Sequence, residues 1–501
     1  MKIKLLIVLV WASCLQLYAQ DPVAQKYGNL ITADELRENL TILASDALEG
    51  RETGKRGQKM AAAFVKAHFE EHGLTGPVNG GYYQPVELFT SMPGDIYIKA
   101  GETKFPNFEN IVFYGASSTD GEISVPVVFA GKGSKEDFDQ LDVSGKGVII
   151  MVTSDANFQN LVTLAREKEA KMIFLFNEKE EDFRELLGQI KSYMGNGMLT
   201  LERPKETADK AGVFFVAPAV AATMMKTTPE KMLAAANAEA RKKALKKMKA
   251  ATIQYKTTMD ITTLKSDNVL GYLEGTDKKA ELVVITAHYD HIGKLKEGEG
   301  DLINNGADDD GSGTVTVLQL AKAFAQAKKE GKGPRRSILF MTVTGEEKGL
   351  LGSDYYTRNP VFPLASTVVN LNIDMVGRRD PQHKDSEPYV YVIGSDKLSS
   401  ELHALSESVN KATTNLIFDY TYNDQDHPDR LYYRSDHWNF AKNNIPIIFY
   451  FDGIHEDYHQ PSDEVEKIEF DLLTKRAQCV FYTAWEIANR EQRIKTDQGA
   501  K

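Results

Sequence analysis

An α/β fold with a mixed, mostly parallel central sheet flanked by helices is the architecture this sequence predicts, and three observations carry that reading. Four apolar runs lie between residues 283 and 459: VVITAH ending at His288, FMTVTGEE at Glu346 and Glu347, NLNID at Asp374, and IPIIFYFDGIHEDYH at His459. Apolar, β-branched runs of this length separated by helical patterns are the signature of strands buried on both faces of a parallel sheet. Each run ends on an acid or a histidine, and in such sheets ligands bind outside the carboxyl ends of the strands. With 42% apolar and 26% charged residues, the 501-residue chain is also long enough for two or more cores.

The first element is a targeting segment. Lys2 and Lys4 precede LLIVLVWASCLQL, an apolar stretch too short to span a bilayer, followed by the small Ala19 and the polar QDPVAQ. This predicts a signal peptide over 1–19 and a secreted or periplasmic location. A lipoprotein signal acylated at Cys14 is the alternative, disfavoured by Trp11 where such signals carry leucine. Removal of the signal leaves Cys479 as the one thiol, so no intrachain disulfide forms and stability comes from the core. No later segment is apolar enough for a membrane span, and a net charge of -11 argues against a nucleic-acid partner. Nothing in the sequence specifies an oligomeric state.

Residues 20–91 read as two helices outside the sheet joined by a Gly-bearing loop, with Thr32 and Glu35 offering a capping box to the first. Residues 92–262 change texture: SVPVVFAG, GKGVIIMV, KMIFLFN and GVFFVAP predict short strands of a compact α/β insert without a cluster of His, Cys or paired acids. At its end KTTPEKMLAAANAEARKKALKKMKAA predicts a helix with a solvated basic face. Residues 263–501 hold the chemistry.

The strand-end residues fit a pair of divalent ions. A carboxylate bridges two metals best, because each of its oxygens can bind one, and Asp309 in GADDDGSG is placed for this. Imidazole nitrogens from His288 and His459 suit zinc, while Glu347 and Asp374 supply an oxygen ligand to each ion. Three carboxylates against two Zn²⁺ leave one positive charge, which favours a hydroxide near neutral pH. Successive residues at a strand exit point in different directions, so Glu347 can ligate while Glu346 stays free as general base.

Six motifs carry a family resemblance: AHYDH at 287–291, NNGADDDGSG at 304–313, TGEEKGLLGS at 344–353, NIDMVG at 372–377, RSDH at 434–437 and DYHQPSD at 457–463. Occurring in the family's order, they resemble the M28 zinc peptidases, as do ASDALEGRETGKRGQKMAA and NVLGYLEG. The insert, with VPVVFAGKG and DVSGKGVIIM, is similar to the protease-associated (PA) domain found in many members. The resemblance implies a zinc-dependent exopeptidase (phosphorylase/hydrolase-like) fold, a peptide substrate and two Zn²⁺ per chain. It implies His288, Asp309 and Asp374 at one ion, Asp309, Glu347 and His459 at the other, and Glu346 as base. It further implies a cis peptide after Asp309, an orienting role for Asp290 toward His288, an oxyanion-stabilising hydroxyl on Tyr458 and a substrate-binding Arg434.

One apparent motif is a coincidence of spacing. His455, Glu456 and His459 spell HExxH, which binds metal only from successive turns of a helix, and here it follows a strand and Gly453 and is cut short by Pro461. His68, His72, His383, His403 and His427 lie outside the motifs, whereas His291 and His437 lie inside them. Ser312 lacks the setting of a catalytic serine, and Cys479 reads as an inert apolar thiol. The leading expectation is an aminopeptidase. A glutamate-releasing carboxypeptidase needs more basic residues than Arg434, a glutaminyl cyclase uses one zinc, and a metal-free receptor would have lost ligands that this chain keeps.

Overall fold

The computed structural model describes residues 21–498 apart from 116, 140, 154–155, 195–196, 205–210, 249–250 and 425. The signal peptide over 1–19 and the Cys14 alternative lie outside the described residues. Among those described, no helix is long and apolar enough to cross a membrane. The chain divides into two compact units, one running to Val86 and resuming at Lys265, the other running from Glu87 to Leu264.

In the first unit the strands lie in the order Ile417–Asp419, Tyr389–Ile393, Ile447–Phe451, Thr367–Ile373, Lys278–His288, Arg336–Val343, Met259–Leu273 and Tyr83–Pro93. Lys278–His288 pairs parallel with Arg336–Val343 on one side and with Thr367–Ile373 on the other, and the latter pairs parallel with Ile447–Phe451. Met259–Leu273 and Tyr389–Ile393 join this core antiparallel, so the sheet is mixed. Parallel pairing recurs at one edge, where Tyr389–Ile393 pairs with Ile417–Asp419 through the crossover helix Ser400–Ala412, the kind of connection parallel neighbours need. The central parallel pairing has a direct consequence for function: four neighbouring strands end on the same edge. The pairings His288↔Val343 and Ile373↔Tyr450 set those ends level.

Helices cover the sheet because their apolar stripes have nowhere else to go. Leu36, Leu40 and Leu43 of Ala33–Leu43 recur at helical spacing and are fully buried, at about 1.5–3 kcal/mol per side chain. Gly313–Lys329 and Phe470–Asn489 pack on the same face, with the Phe324 ring 4.7 Å from Phe481 and 5.7 Å from Trp485. Cys479 is buried in this packing, and burial pushes its thiol up to about 12, as befits an inert apolar side chain.

One local expectation changes. Thr32 Oγ1 accepts the Glu35 N–H at 3.4 Å, but the Glu35 carboxylate does not complete the capping box; it pairs with Lys322 on the neighbouring helix, because a charged partner outcompetes a backbone N–H. A short helix, Pro22–Gly28, which the sequence reading did not foresee, precedes it.

The second unit is an eight-stranded sheet in the order Thr103–Pro106, Tyr97–Ala100, Thr252–Lys256, Ile123–Phe129, Gly147–Val152, Met172–Asn177, Gly212–Val216 and Ile111–Tyr114. The long basic helix expected near its end is two helices, Pro229–Asn237 and Arg241–Lys247. The break lets Met232 and Leu245 both reach the unit's core and turns Arg241 toward the buried Asp137, which it meets at 2.5 Å. Lys242, Lys243, Lys246 and Lys247 stay exposed.

Candidate metal centre

The turn Ala307–Ser312, which enters helix Gly313–Lys329, carries three consecutive buried acids, and remote segments divide the work among them. Asp308 Oδ1 accepts the Gly377 N–H at 2.7 Å, and its Oδ2 faces His455 Nε2 at 3.1 Å. Asp310 accepts the N–H groups of His288, Gly313 and Met375 at 3.0–3.1 Å. Both carboxylates are thereby committed to holding the ends of neighbouring strands. Asp309 alone turns toward His288 and His459, its own N–H held at 3.1 Å by Asp463 Oδ2. The Asp309–Asp310 peptide is cis.

His288 Nε2 lies 3.2 Å from Asp309 Oδ1, 3.6 Å from Asp374 Oδ1 and 3.9 Å from Glu346 Oε2. On the other side of Asp309, His459 Nε2 is 3.1 Å from both Asp309 Oδ2 and Glu347 Oε2. The five sequence-derived ligands and Glu346 therefore meet around one carboxylate. Metal-holding geometry extends to a residue the sequence reading left unassigned: one ligand atom from each of His291, Asp309 and Glu347 falls within 4.8 Å, as it does for His288, Glu346 and Asp374.

Electrostatics separate the acids. Burial pushes Asp309 up, but the adjoining rings of His288 and His459 overcome this and hold it well below the usual carboxylate range. Burial, opposed by His288 and reinforced by Asp374 and Glu347, holds Glu346 well above that range. One acid is thus strongly anionic and its neighbour proton-hungry, the division of labour expected of a site that moves protons.

Asp290 sits close to its expected place but acts differently in detail. His288 Nδ1 is 3.0 Å from the backbone carbonyl of Asp290 and 3.9 Å from its carboxylate. The carboxylate instead accepts Thr53 Oγ1–H at 2.6 Å and the Glu346 N–H at 3.2 Å, so it anchors the segment bearing Glu346. Asp374 is oriented by Ser435, whose hydroxyl donates to it at 2.6 Å and accepts from Asn372 at 2.8 Å.

A pocket opens on these groups, lined by Asp309, Glu346, Asp374, Tyr458 and Arg434 together with Met375, Leu431, Phe449, Phe451 and Ile454. Burial, then the charges of Asp309 and Glu347, push the Tyr458 phenol well above its ordinary range, so it stays protonated and able to donate. Arg434 is exposed where it lines the pocket.

The HExxH segment forms turns rather than a helix, and its members diverge. His455 is committed to Asp308, Glu456 is exposed, and His459 adopts a left-handed backbone, φ 57°. Replacing Glu456 with Gln is accordingly expected to leave kcat/KM within about twofold, the range of a surface substitution. A steady-state comparison with wild type checks this. His437, despite its motif, is a core residue: its ring stacks on Phe449 at 4.5 Å and its Nε2 lies 2.8 Å from the Tyr432 carbonyl.

Sequence reasoning placed His291 inside a motif without giving it a role, and missed Ser435, Asp463 and Arg51. His291, Ser435 and Asp463 lie inside AHYDH, RSDH and DYHQPSD, and their position there is the signal that could have found their roles. Arg51 lies inside ASDALEGRETGKRGQKMAA, where nothing local marks it as buried.

Known proteins place the chain. The sequence profile of Peptidase family M28 matches residues 268–484, the stretch that bears His288, Asp309, Glu346, Glu347, Asp374 and His459. Aminopeptidase YwaD of Bacillus subtilis (strain 168) is 26% identical over 391 residues, covering 76% of this chain and 71% of that protein. A probable leucine aminopeptidase of Trichophyton verrucosum is 29% identical over 217 residues, 42% of this chain and 55% of its own. Among solved structures, an aminopeptidase from Aneurinibacillus sp. strain AM-1 superposes with a TM-score of 0.58 at 17% identity, covering 94% of this chain and 97% of that one. A zinc aminopeptidase from Bacillus subtilis gives 0.53 at 19%, covering 93% and 98%. Fold and site thus define a peptide hydrolase on a mixed α/β scaffold. In particular, residues 268–484 match the model of Peptidase family M28.

Proposed function

We propose that the protein is a secreted or periplasmic aminopeptidase that uses two zinc ions to release N-terminal residues from peptides. The observation that carries the reading is the convergence of His288 and His459 on the two oxygens of Asp309, at 3.2 and 3.1 Å, with the Nε2 atom of each ring buried and without a hydrogen-bond partner. Buried polar atoms are normally paired, so two orphaned nitrogens aimed at one carboxylate fit a site built around cations. His288, Asp309 and Asp374 would hold one ion, and Asp309, Glu347 and His459 the other. Bound there, zinc would polarise a scissile carbonyl and lower the pKa of a coordinated water.

The remaining work belongs to the chain. Glu346 takes the proton of the attacking water and returns it to the departing amine. Tyr458, a protonated donor in the same pocket, hydrogen-bonds the oxygen on which charge develops. Glu346 and Asp374 present negative charge to a free α-amine, while Leu431, Phe449, Phe451 and Ile454 give the pocket an apolar wall suited to an apolar N-terminal side chain. Arg434 is the one basic residue lining this pocket among the described residues, which favours amine recognition over recognition of a substrate's carboxylates. The unit from Glu87 to Leu264 is in this reading a PA-like insert.

The test is hydrolysis of three reporters by the purified protein: a free-amine aminoacyl compound, its N-blocked form and a carboxyl-terminal peptide. The free-amine compound with an apolar residue is expected to be cleaved, activity to vanish with a chelator and to return with Zn²⁺. Cleavage of the N-blocked form in preference to the free amine overturns the proposal.

A further inference from the structure

His291 stands outside the ligand set proposed above, yet its ring is fully buried against that set. Its Nδ1 is 2.7 Å from Glu347 Oε1, while the other oxygen of the same carboxylate, Oε2, faces His459 at 3.1 Å. An ionised carboxylate can only accept, so the ring nitrogen donates. The tautomer with its proton on Nδ1 leaves Nε2, which is buried and unpartnered, as a bare lone pair rather than an unsatisfied N–H.

The ring is held in that orientation from three sides. Its backbone N–H donates to the Arg51 carbonyl at 3.1 Å. Glu347 takes Nδ1. Gly306, at φ +56°, lies so close that a Cβ there would come within 2.6 Å of His291 Cδ2, which makes glycine the residue that lets the NNGADDD loop pass over the ring.

From this geometry we infer that His291 is a positioning residue that divides the two oxygens of Glu347, fixing Oε1 by a hydrogen bond so that Oε2 alone is offered to the ion shared with Asp309 and His459. A carboxylate tethered by one oxygen is held in a one-oxygen binding mode; untethered, it can rotate away or chelate with both. The effect is selective. Asp309 Oδ2 is 3.8 Å from His291 Nδ1, beyond hydrogen-bonding range, so the bridging carboxylate and the ion at His288 and Asp374 do not depend on the ring.

The inference rests on the two-ion reading, and the experiment separates the two. Full-length wild type, His291→Asn and His291→Gln are stripped of metal and titrated with Zn²⁺ against a chromophoric chelator, giving stepwise dissociation constants. An asparagine amide can occupy the place of Nδ1, whereas a glutamine amide reaches the place of Nε2. The expected result is two equivalents in wild type, a second equivalent weakened about 10- to 100-fold in His291→Gln with the first unchanged, and recovery of most of that loss in His291→Asn. Both variants remain polar at a polar site, and a circular-dichroism spectrum of each confirms folding. Equal weakening of both equivalents, no weakening in His291→Gln, or identical behaviour of the two variants overturns the inference while leaving two-ion binding intact. Loss of one imidazole from the zinc X-ray absorption spectrum of His291→Asn overturns it as well, making the ring a direct ligand. A wild type that takes up fewer than two equivalents overturns the two-ion reading and this inference with it.

Discussion

Replacing Glu346 with Gln is expected to lower kcat by about 10³-fold, within the range that general acid–base groups contribute, while zinc content stays at the wild-type value. Glutamine keeps the shape of the side chain and removes its capacity to take a proton. Glu346 lines the pocket with Asp309, Asp374 and Tyr458, and its backbone N–H is fixed by Asp290, so the substitution leaves the surroundings intact. Metal analysis beside single-turnover kinetics distinguishes loss of a base from loss of a ligand. Turnover within tenfold of wild type would exclude Glu346 as the base, and loss of zinc would make it a ligand.

The second large effect falls on stability and comes from a residue that touches no substrate. Arg51 is fully buried, and its guanidinium donates to the carbonyls of Leu43, Tyr289, Asn305 and Gly306 at 3.0, 3.0, 2.5 and 2.9 Å. It thus fastens the strand end after His288 to the loop that delivers Asp309. Burial lowers the Arg51 pKa against the pull of Asp309 and Asp463, and those acids supply the compensating negative charge. Arg51→Met keeps most of the volume but takes the guanidinium donors from the buried carbonyls of Leu43, Tyr289 and Asn305, while Gly306 keeps the Gly311 N–H at 3.2 Å. Each carbonyl left unsatisfied costs about 1–3 kcal/mol. A total loss on the order of 4 kcal/mol is expected, which for a unit of this size lowers Tm by roughly 8 °C. Differential scanning calorimetry of the metal-free protein measures this without interference from zinc. A Tm within about 2 °C of wild type would show that the loop holds its shape without the guanidinium.

Much of the site was legible because the information is local. A run of β-branched residues predicts a buried strand, a polar ligand-type residue at its end predicts a site, and neither inference needs another part of the chain. His288, Glu346, Glu347 and Asp374 follow from that reasoning, since parallel neighbours must end on a common edge. The helical patterns of Ala33–Leu43 and Arg56–Glu71 were legible for the same reason. The split of the basic segment into two helices was not, because it depends on where Asp137 and the core of its unit lie.

By itself, then, the sequence determined the α/β class, the strands that bear the site and the chemical types of its ligands. Tertiary structure supplies the reason that Asp309, the member of the acidic run implied by the family resemblance, is the one that faces His288 and His459. Asp308, Asp309 and Asp310 are chemically alike, and only the N–H groups of Gly377, His288 and Met375, brought in from distant segments, occupy two of them and free the third. It also decided that His455, excluded as a ligand by the sequence, serves Asp308, that Arg51 is a buried clamp, and that His291 holds Glu347. Each of these roles is set by what a side chain meets across the fold, and partners remote in sequence leave no local pattern for periodicity or spacing to show.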